Sequence, residues 1–300
     1  MSFMTGIKAN KAYRLQKNGQ KEEAIRLYEE CFAEGLNDAR YVLAYALLII
    51  RDGQYQKAKD FLVKHQKAPG MTGDQRTNLL VDYAVCCFRL GDLDKGINTL
   101  EQQFRKGENG LIYQTLGYLY VEKYDAANKP DFAAMAAAEE AAAAEEAEQA
   151  EEAAEAPAEE AGEAEQGETA PAEAPAAAPA AEKKMPPEEE WNAGIDKAEA
   201  FLLKAVEYDE EDPICLDNMG QFLYRVKGDK AAAKPYFEKA LALKDTQIDT
   251  LYFLSRYDEE AGNKAAAAEK MEKALGGRFS PLNYLTKDMA ERETARLKGE

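Results

Sequence analysis

Five glycines set the period of this chain. Gly19, Gly53 and Gly91 lie 34 and 38 residues apart, and Gly228 and Gly262 lie 34 apart. At a fixed offset after each comes a small residue, then a large one, then usually another small one. The series reads Ala24-Tyr28-Cys31, Ala58-Leu62-His65, Gly96-Leu100-Gln103, Ala233-Phe237-Ala240 and Ala267-Met271-Ala274. Spacings of four and three put each trio on one helical face. A second helix precedes each glycine and carries a large residue, a small one, then a large one three further on. Its best copies are Tyr45-Ala46-x-x-Ile49, Leu116-Gly117-x-x-Tyr120 and Met219-Gly220-x-x-Leu223, with Leu254-Ser255-x-x-Asp258 a weaker one. Small residues let the two helices approach, and large ones fill the space beside them. Antiparallel helix pairs joined by glycine turns and repeated in this way predict an all-α solenoid of about six hairpins.

The repeat is interrupted once. Leu111–Tyr124 reads as the first helix of a fourth unit, whose partner should carry its alanine near Pro130. That partner appears instead in Trp191–Tyr208, with Ala198-Leu202-Ala205 on its packing face. About 68 residues are therefore inserted at an inter-helix turn, a place that tolerates insertion because it is exposed and because loop closure costs little more as length grows. Ala133–Glu182 holds about 25 Ala and 15 Glu with no Lys or Arg. This Ala/Glu, coiled-coil-like tract carries most of the formal charge of −18; without it 41 acidic residues face 38 basic ones. Ala133–Ala154 has helix-forming composition, weakened by crowded Glu, and predicts a partial exposed helix. The Pro- and Gly-containing half from Pro157 to Pro187 is expected to be disordered. The expected organisation is repeats over 1–130, an acidic low-complexity insert over 131–187, and further repeats with a capping helix over 188–300.

The pattern resembles the tetratricopeptide repeat (TPR) family, whose signature is W-x2-L-G-x2-Y, then A-x3-F, then P. Met219–Leu241 is the best copy, with Gly228-Asp229-Lys230-Ala231-Ala232-Ala233 and Tyr236-Phe237-Glu238-Lys239-Ala240-Leu241. No copy has the Trp, the first helix has Lys11-Ala12 where Leu-Gly is expected, and His65 and Gln103 replace a small residue. The resemblance implies a right-handed superhelix whose first helices line a concave face that binds peptides. On that face it places Leu43, Leu47, Ile50, Arg51, Val81, Val85, Phe88, Arg89, Leu111, Gln114, Tyr118, Val121, Tyr224, Arg225, Tyr252 and Arg256. Some family members hold a peptide carboxylate with Lys, Asn and Arg. At those slots this sequence has Tyr13, Ala44, Asn78 and Asp82, so that clamp is not expected here.

Other chemistry finds no support. The single histidine, His65, sits at a helix-packing slot, and no C-x-x-C, H-E-x-x-H, Walker or dinucleotide glycine pattern is present. Carboxylates are abundant on helical faces, where they are usually solvated. No catalytic residue, metal or cofactor is expected, and neither part of the chain is basic enough to suggest nucleic acid. Cys31, Cys86, Cys87 and Cys215 read as small buried thiols. With no signal peptide visible after Met1 and no apolar run long enough to cross a bilayer, a cytoplasmic protein without membrane insertion is expected. The tail Ser280-Pro281 reads as a helix start, with Leu282, Leu285 and Met289 covering the last repeat. The sequence thus predicts a non-enzymatic scaffold or adaptor that binds a partner peptide or helix in its concave groove. A peptide-sensing regulatory protein and a self-associating structural protein are the alternatives. The acidic insert reads as a spacer, as a segment that occupies the groove itself, or as a lure for a basic partner.

Overall fold

The computed structural model describes residues 3–155 and 187–299, and all regular structure in them is helical. Residues 1–128 and 195–300 form one compact unit and residues 129–194 another. The expectation of disorder over Pro157–Pro187 falls, apart from Pro187, outside the described residues.

The larger unit is a stack of six helical hairpins and one terminal helix. The first three pair α1 (Phe3–Lys17) with α2 (Lys21–Ala33), α3 (Ala39–Arg51) with α4 (Tyr55–His65), and α5 (Gly73–Arg89) with α6 (Leu93–Phe104). In the fourth, α7 (Gly110–Tyr124) pairs with residues 195–208, the later part of α9 (Pro187–Tyr208). The fifth joins α10 (Pro213–Gln221), extended by a π-helical turn over Phe222–Val226, to α11 (Lys230–Leu243). The sixth joins α12 (Ile248–Glu260) to α13 (Lys264–Leu275), and α14 (Lys287–Lys298) packs on α13.

The small-and-large pattern of the sequence has a direct packing cause. A Cβ on Gly220 would lie 2.7 Å from Cε1 of Phe237, and one on Gly117 would lie 2.9 Å from Cδ2 of Leu202. In these two hairpins the small residue of the first helix therefore receives the large residue of its own second helix. Leu202 comes from beyond the insertion, so the fourth hairpin keeps this contact although its two helices are far apart in sequence.

The hairpin turns also share one cause. Gly53 has φ +80°, and Gln54 N–H reaches back to the Ile49 carbonyl at 2.9 Å while Gly53 N–H bonds Ile50 at 3.0 Å. This is the left-handed helix stop that glycine permits. The fifth hairpin departs from it. Gly228 stands eight residues after its small residue Gly220, against seven between Ala46 and Gly53. The π turn absorbs the extra residue: Lys227 N–H bonds the Phe222 carbonyl, and Asp229 N–H bonds Leu223 at 2.8 Å.

The C-terminal segment differs from the sequence reading. The helix does not begin at Ser280-Pro281. It begins at Lys287, where Thr286 Oγ1 accepts a hydrogen bond from Met289 N–H at 3.2 Å. The cause is Asp249 on α12. Its carboxylate accepts hydrogen bonds from the backbone of Tyr284 and Leu285, each at 3.0 Å, and from the Asn283 amide at 3.1 Å. Gly276–Thr286 is thereby held as a non-helical strap. Leu285 and Met289 cover the last repeat, as expected, but Leu282 packs instead against the core of the N-terminal hairpins.

In the smaller unit, α8 (Phe132–Glu155) is built from strong helix formers, and its side chains over residues 133–145 are exposed. Phe132 meets Trp191 edge to face, with ring centroids 6.4 Å apart, and Lys129 lies 3.7 Å from Glu188.

Candidate interaction groove

The first helices of the larger unit line a groove, and the strap runs through it. At the N-terminal end lies a cavity of about 680 Å³. Tyr13, Gln16 and Lys17 of α1, Arg40, Leu43, Ala44, Leu47 and Arg51 of α3, and Asn78, Val81 and Asp82 of α5 form its wall. Leu111 of α7 and Arg278 of the strap complete it. A smaller adjoining cavity of about 240 Å³ adds Ile50, Val85 and the strap residues Phe279–Leu282. A third, of about 460 Å³, lies between α7, α10 and α12, and Arg278 and Leu282 border it as well.

The expected groove residues thus separate into two groups. Leu43, Leu47, Ile50, Arg51, Val81 and Val85 line the N-terminal cavities, and Gln114 and Tyr118 line the third. Arg89 shares a small cavity with Arg51 at the edge of the strap, its guanidinium 5.6 Å from the Tyr55 ring centroid. Phe88 meets Tyr118 edge to face at 5.8 Å, and Val121 is fully buried. The C-terminal four are brought together around the strap and α14. Tyr252 and Tyr224 join a ring cluster with Phe253, and Tyr252 also meets Tyr284 of the strap at 5.8 Å. Arg225 lies 2.8 Å from Glu122 and 2.7 Å from Asp125, with its guanidinium 4.0 Å from the Tyr284 ring centroid. Arg256 bonds Glu259 at 3.1 Å and Glu293 of α14 at 3.2 Å.

Tyr13, Ala44, Asn78 and Asp82, the residues at the family's clamp slots, do face one cavity. Its positive charge comes from other places: Lys17, Arg40, Arg51 and Arg278. Sequence periodicity could not find Arg278, because the strap lies outside the repeat. The one available signal was Gly276-Gly277. A Cβ on Gly277 would fall 2.8 Å from Ile248 Cγ1, so the chain enters the strap through a contact only glycine allows.

Two electrostatic features mark the groove. Asp82 is half-buried in the N-terminal cavity, and loss of hydration pushes its carboxyl up to about 7, against the pull of Arg51. Partial burial, and then the facing charge of Arg278, push the Arg51 guanidinium down, while Asp82 opposes them. Deeper in, Asp217 and Asp249 are both buried at the third cavity. Burial pushes both carboxyls above the ordinary range, and each repels the other's charge. Such a pair could suggest acid–base chemistry, but every oxygen is already engaged. Asp217 accepts from Gln221 Nε2 at 2.7 Å and from the Thr250 hydroxyl, and Asp249 holds the strap. Their evident work is to lock α10, α12 and the strap together.

His65 belongs to the hairpin rim. Its ring lies 4.3 Å from Phe61 and its Nδ1 lies 3.1 Å from Asn37 Oδ1, while burial and then Lys64 push its pKa down. The four cysteines are buried free thiols, and burial pushes Cys86 up to about 12. Among the described residues no cluster of His, Cys, Asp and Glu is arranged to hold a metal ion, and no helix is long and apolar enough to cross a membrane.

Comparison with known proteins agrees with this architecture. Residues 12–103 match the family described as anaphase-promoting complex, cyclosome, subunit 3. Among solved structures, a thermophilic TPR protein of Thermus thermophilus superposes with a TM-score of 0.53 at 14% identity, covering 87% of this chain and 99% of that one. The fold is a TPR solenoid. PilW, a type IV pilus biogenesis factor, gives 0.54 at 11% identity over 94% of this chain and 98% of its own. The Cut9-Hcn1 hetero-tetramer of the APC/C gives 0.53 at 14% identity, over 94% of this chain and 41% of that one. No curated protein sequence matches the chain. In TPR terms the groove is the face formed by the first helix of each unit. The strap is a non-repeat segment that lies along it.

Proposed function

We propose that this chain is a non-enzymatic scaffold or adaptor that binds a partner peptide or helix in the N-terminal half of its TPR groove. The observation that carries this reading is the open cavity of about 680 Å³ with an apolar floor. Leu43, Leu47 and Leu111 reach its surface while their neighbours Tyr45, Ala46 and Ile49 fill the core. Apolar side chains left facing a groove on a solenoid are a recurring signature of helix or peptide capture. The solved TPR structures support the architecture, and one of them, Cut9-Hcn1, is a hetero-tetramer of the APC/C.

The test is a selection of 12-residue peptides from a random displayed library on the intact chain, followed by affinity measurement of those enriched. Leu47→Asp with Leu111→Asp places two charges on the cavity floor without touching fully buried positions. Enriched peptides should bind the wild type and lose about tenfold or more on the double variant, the effect of removing an apolar anchor. Absence of enrichment, or equal binding to a folded double variant, removes the groove as the binding site.

A further inference from the structure

The arginines carried by the first helices are treated differently in the two halves, although Lys244 at the third cavity is, like Arg278, outside ion-pairing distance of any described carboxylate. In the C-terminal half, Arg225 and Arg256 are neutralised by Glu122, Asp125, Glu259 and Glu293. In the N-terminal cavity, Arg51 and Arg278 face each other across shared walls, with Arg40 and Lys17 beside them. Among the described residues none of these four has a carboxylate within ion-pairing distance. Arg40 and Lys17 rest on the Tyr41 and Tyr13 rings, at 4.3 and 4.9 Å. The single acid of the cavity, Asp82, has its carboxyl pushed up to about 7 by burial, so near neutral pH it offsets only part of one of the four positive charges. A cavity that gathers four cations around one partly ionised acid, with no ion pair among them, is electrostatically incomplete, and an anionic guest completes it.

We infer that the partner of this groove is an acidic peptide with interspersed apolar side chains, its carboxylates held between Arg51 and Arg278 and its apolar groups seated on Leu47 and Leu111. This rests on the proposed peptide-binding function and adds the chemistry of the ligand. The apolar floor favours a peptide over a nucleic acid, since the cavity has one aromatic ring, Tyr13, for bases to stack on, and the unit around it is not basic. Arg278 gives the strap a part in recognition: a residue outside the repeats supplies half of the anion grip.

The same library selection tests this, run in parallel on the wild type, on Arg51→Glu with Arg278→Glu, and on Arg51→Lys with Arg278→Lys. The wild type should enrich peptides with several Asp or Glu spaced by apolar residues. Their affinity should fall at least tenfold on the Glu variant, recover most of the way on the Lys variant, and weaken as salt rises from 50 to 300 mM. Peptides that bind but carry no acidic bias, or that bind the Glu variant equally well, overturn this inference and leave the groove reading standing. No enrichment on any form overturns both. Equal binding of polyglutamate or single-stranded DNA, neither of which carries apolar side chains such as Leu or Val, overturns it in favour of a general anion patch. Far-UV circular dichroism melts on each variant confirm that the two exposed arginines were changed in a folded chain.

Discussion

Arg51 and Arg225 occupy the same place in the repeat, five residues after the small residue of their first helix, Ala46 and Gly220. Arg51 faces an open cavity that it shares with Asp82, with no carboxylate within ion-pairing distance. Arg225, carried on the π turn, is sealed under Tyr284 against two acids, its side chain 7% exposed. The first-helix arginines of the C-terminal half, Arg225 and Arg256, are committed to ion pairs, whereas Arg51 is not. Repeats with the same backbone logic thus differ in whether the arginine at this position is paired.

The sharpest way to break this comparison is to remove the two arginines in turn. Arg225→Ala leaves Glu122 and Asp125 without their partner in a largely buried place, and should cost about 3–5 kcal/mol in urea unfolding. A loss under about 1 kcal/mol would show that the C-terminal network is not holding the fold. Next in size is Asp249→Ala, which strands the amides of Tyr284 and Leu285 and should cost about 2–4 kcal/mol. Its distinctive readout is hydrogen exchange: the amides of residues 284 and 285 should lose protection while those of α5 keep theirs.

Asp82→Asn addresses the other half and is read through pH. The folded carboxyl titrates near 7, above its unfolded value, so the acid stabilises the fold below about pH 4 and that contribution disappears as pH rises through 7. The Asn variant should therefore gain on the wild type with rising pH, by about 1–2 kcal/mol at pH 8 relative to pH 4 after allowance for its partial exposure. An unchanged difference across that range would place Asp82 in water. The smallest effect is expected at Arg51→Ala, within about 0.5 kcal/mol of the wild type and on the stabilising side, because it relieves the approach to Arg278. A loss as large as that of Arg225→Ala would erase the distinction between the halves.

Much of the fold was legible in the sequence because it follows from short-range rules. The glycine period, and the small-to-large pairs such as Gly117 with Leu202, fix each hairpin by contacts between neighbours. Even the split fourth hairpin could be rejoined, since its packing trio lies intact beyond the insert. The strap was not legible. Pro281 following Ser280 satisfies a local rule for starting a helix, and the carboxylate that overrides it, Asp249, lies more than thirty residues earlier. The π turn could have been read from the eight-residue spacing between Gly220 and Gly228. Its effect on Arg225 could not, because Glu122 and Asp125 belong to another hairpin. In the groove, apolar positions such as Leu47 and Val81 obey the repeat and were placed by it, whereas Arg278 obeys no period.

The strap has a consequence for how the molecule comes apart. An open solenoid has neighbours only along its axis, so its ends fray and its repeats can melt one after another. Here Leu282 sits against the N-terminal core while Leu285, three residues on, belongs to the C-terminal one. That tie joins segments more than two hundred residues apart along the chain. It turns a zipper into a buckle, in which loosening of the last repeat is expected to disturb the N-terminal hairpins as well.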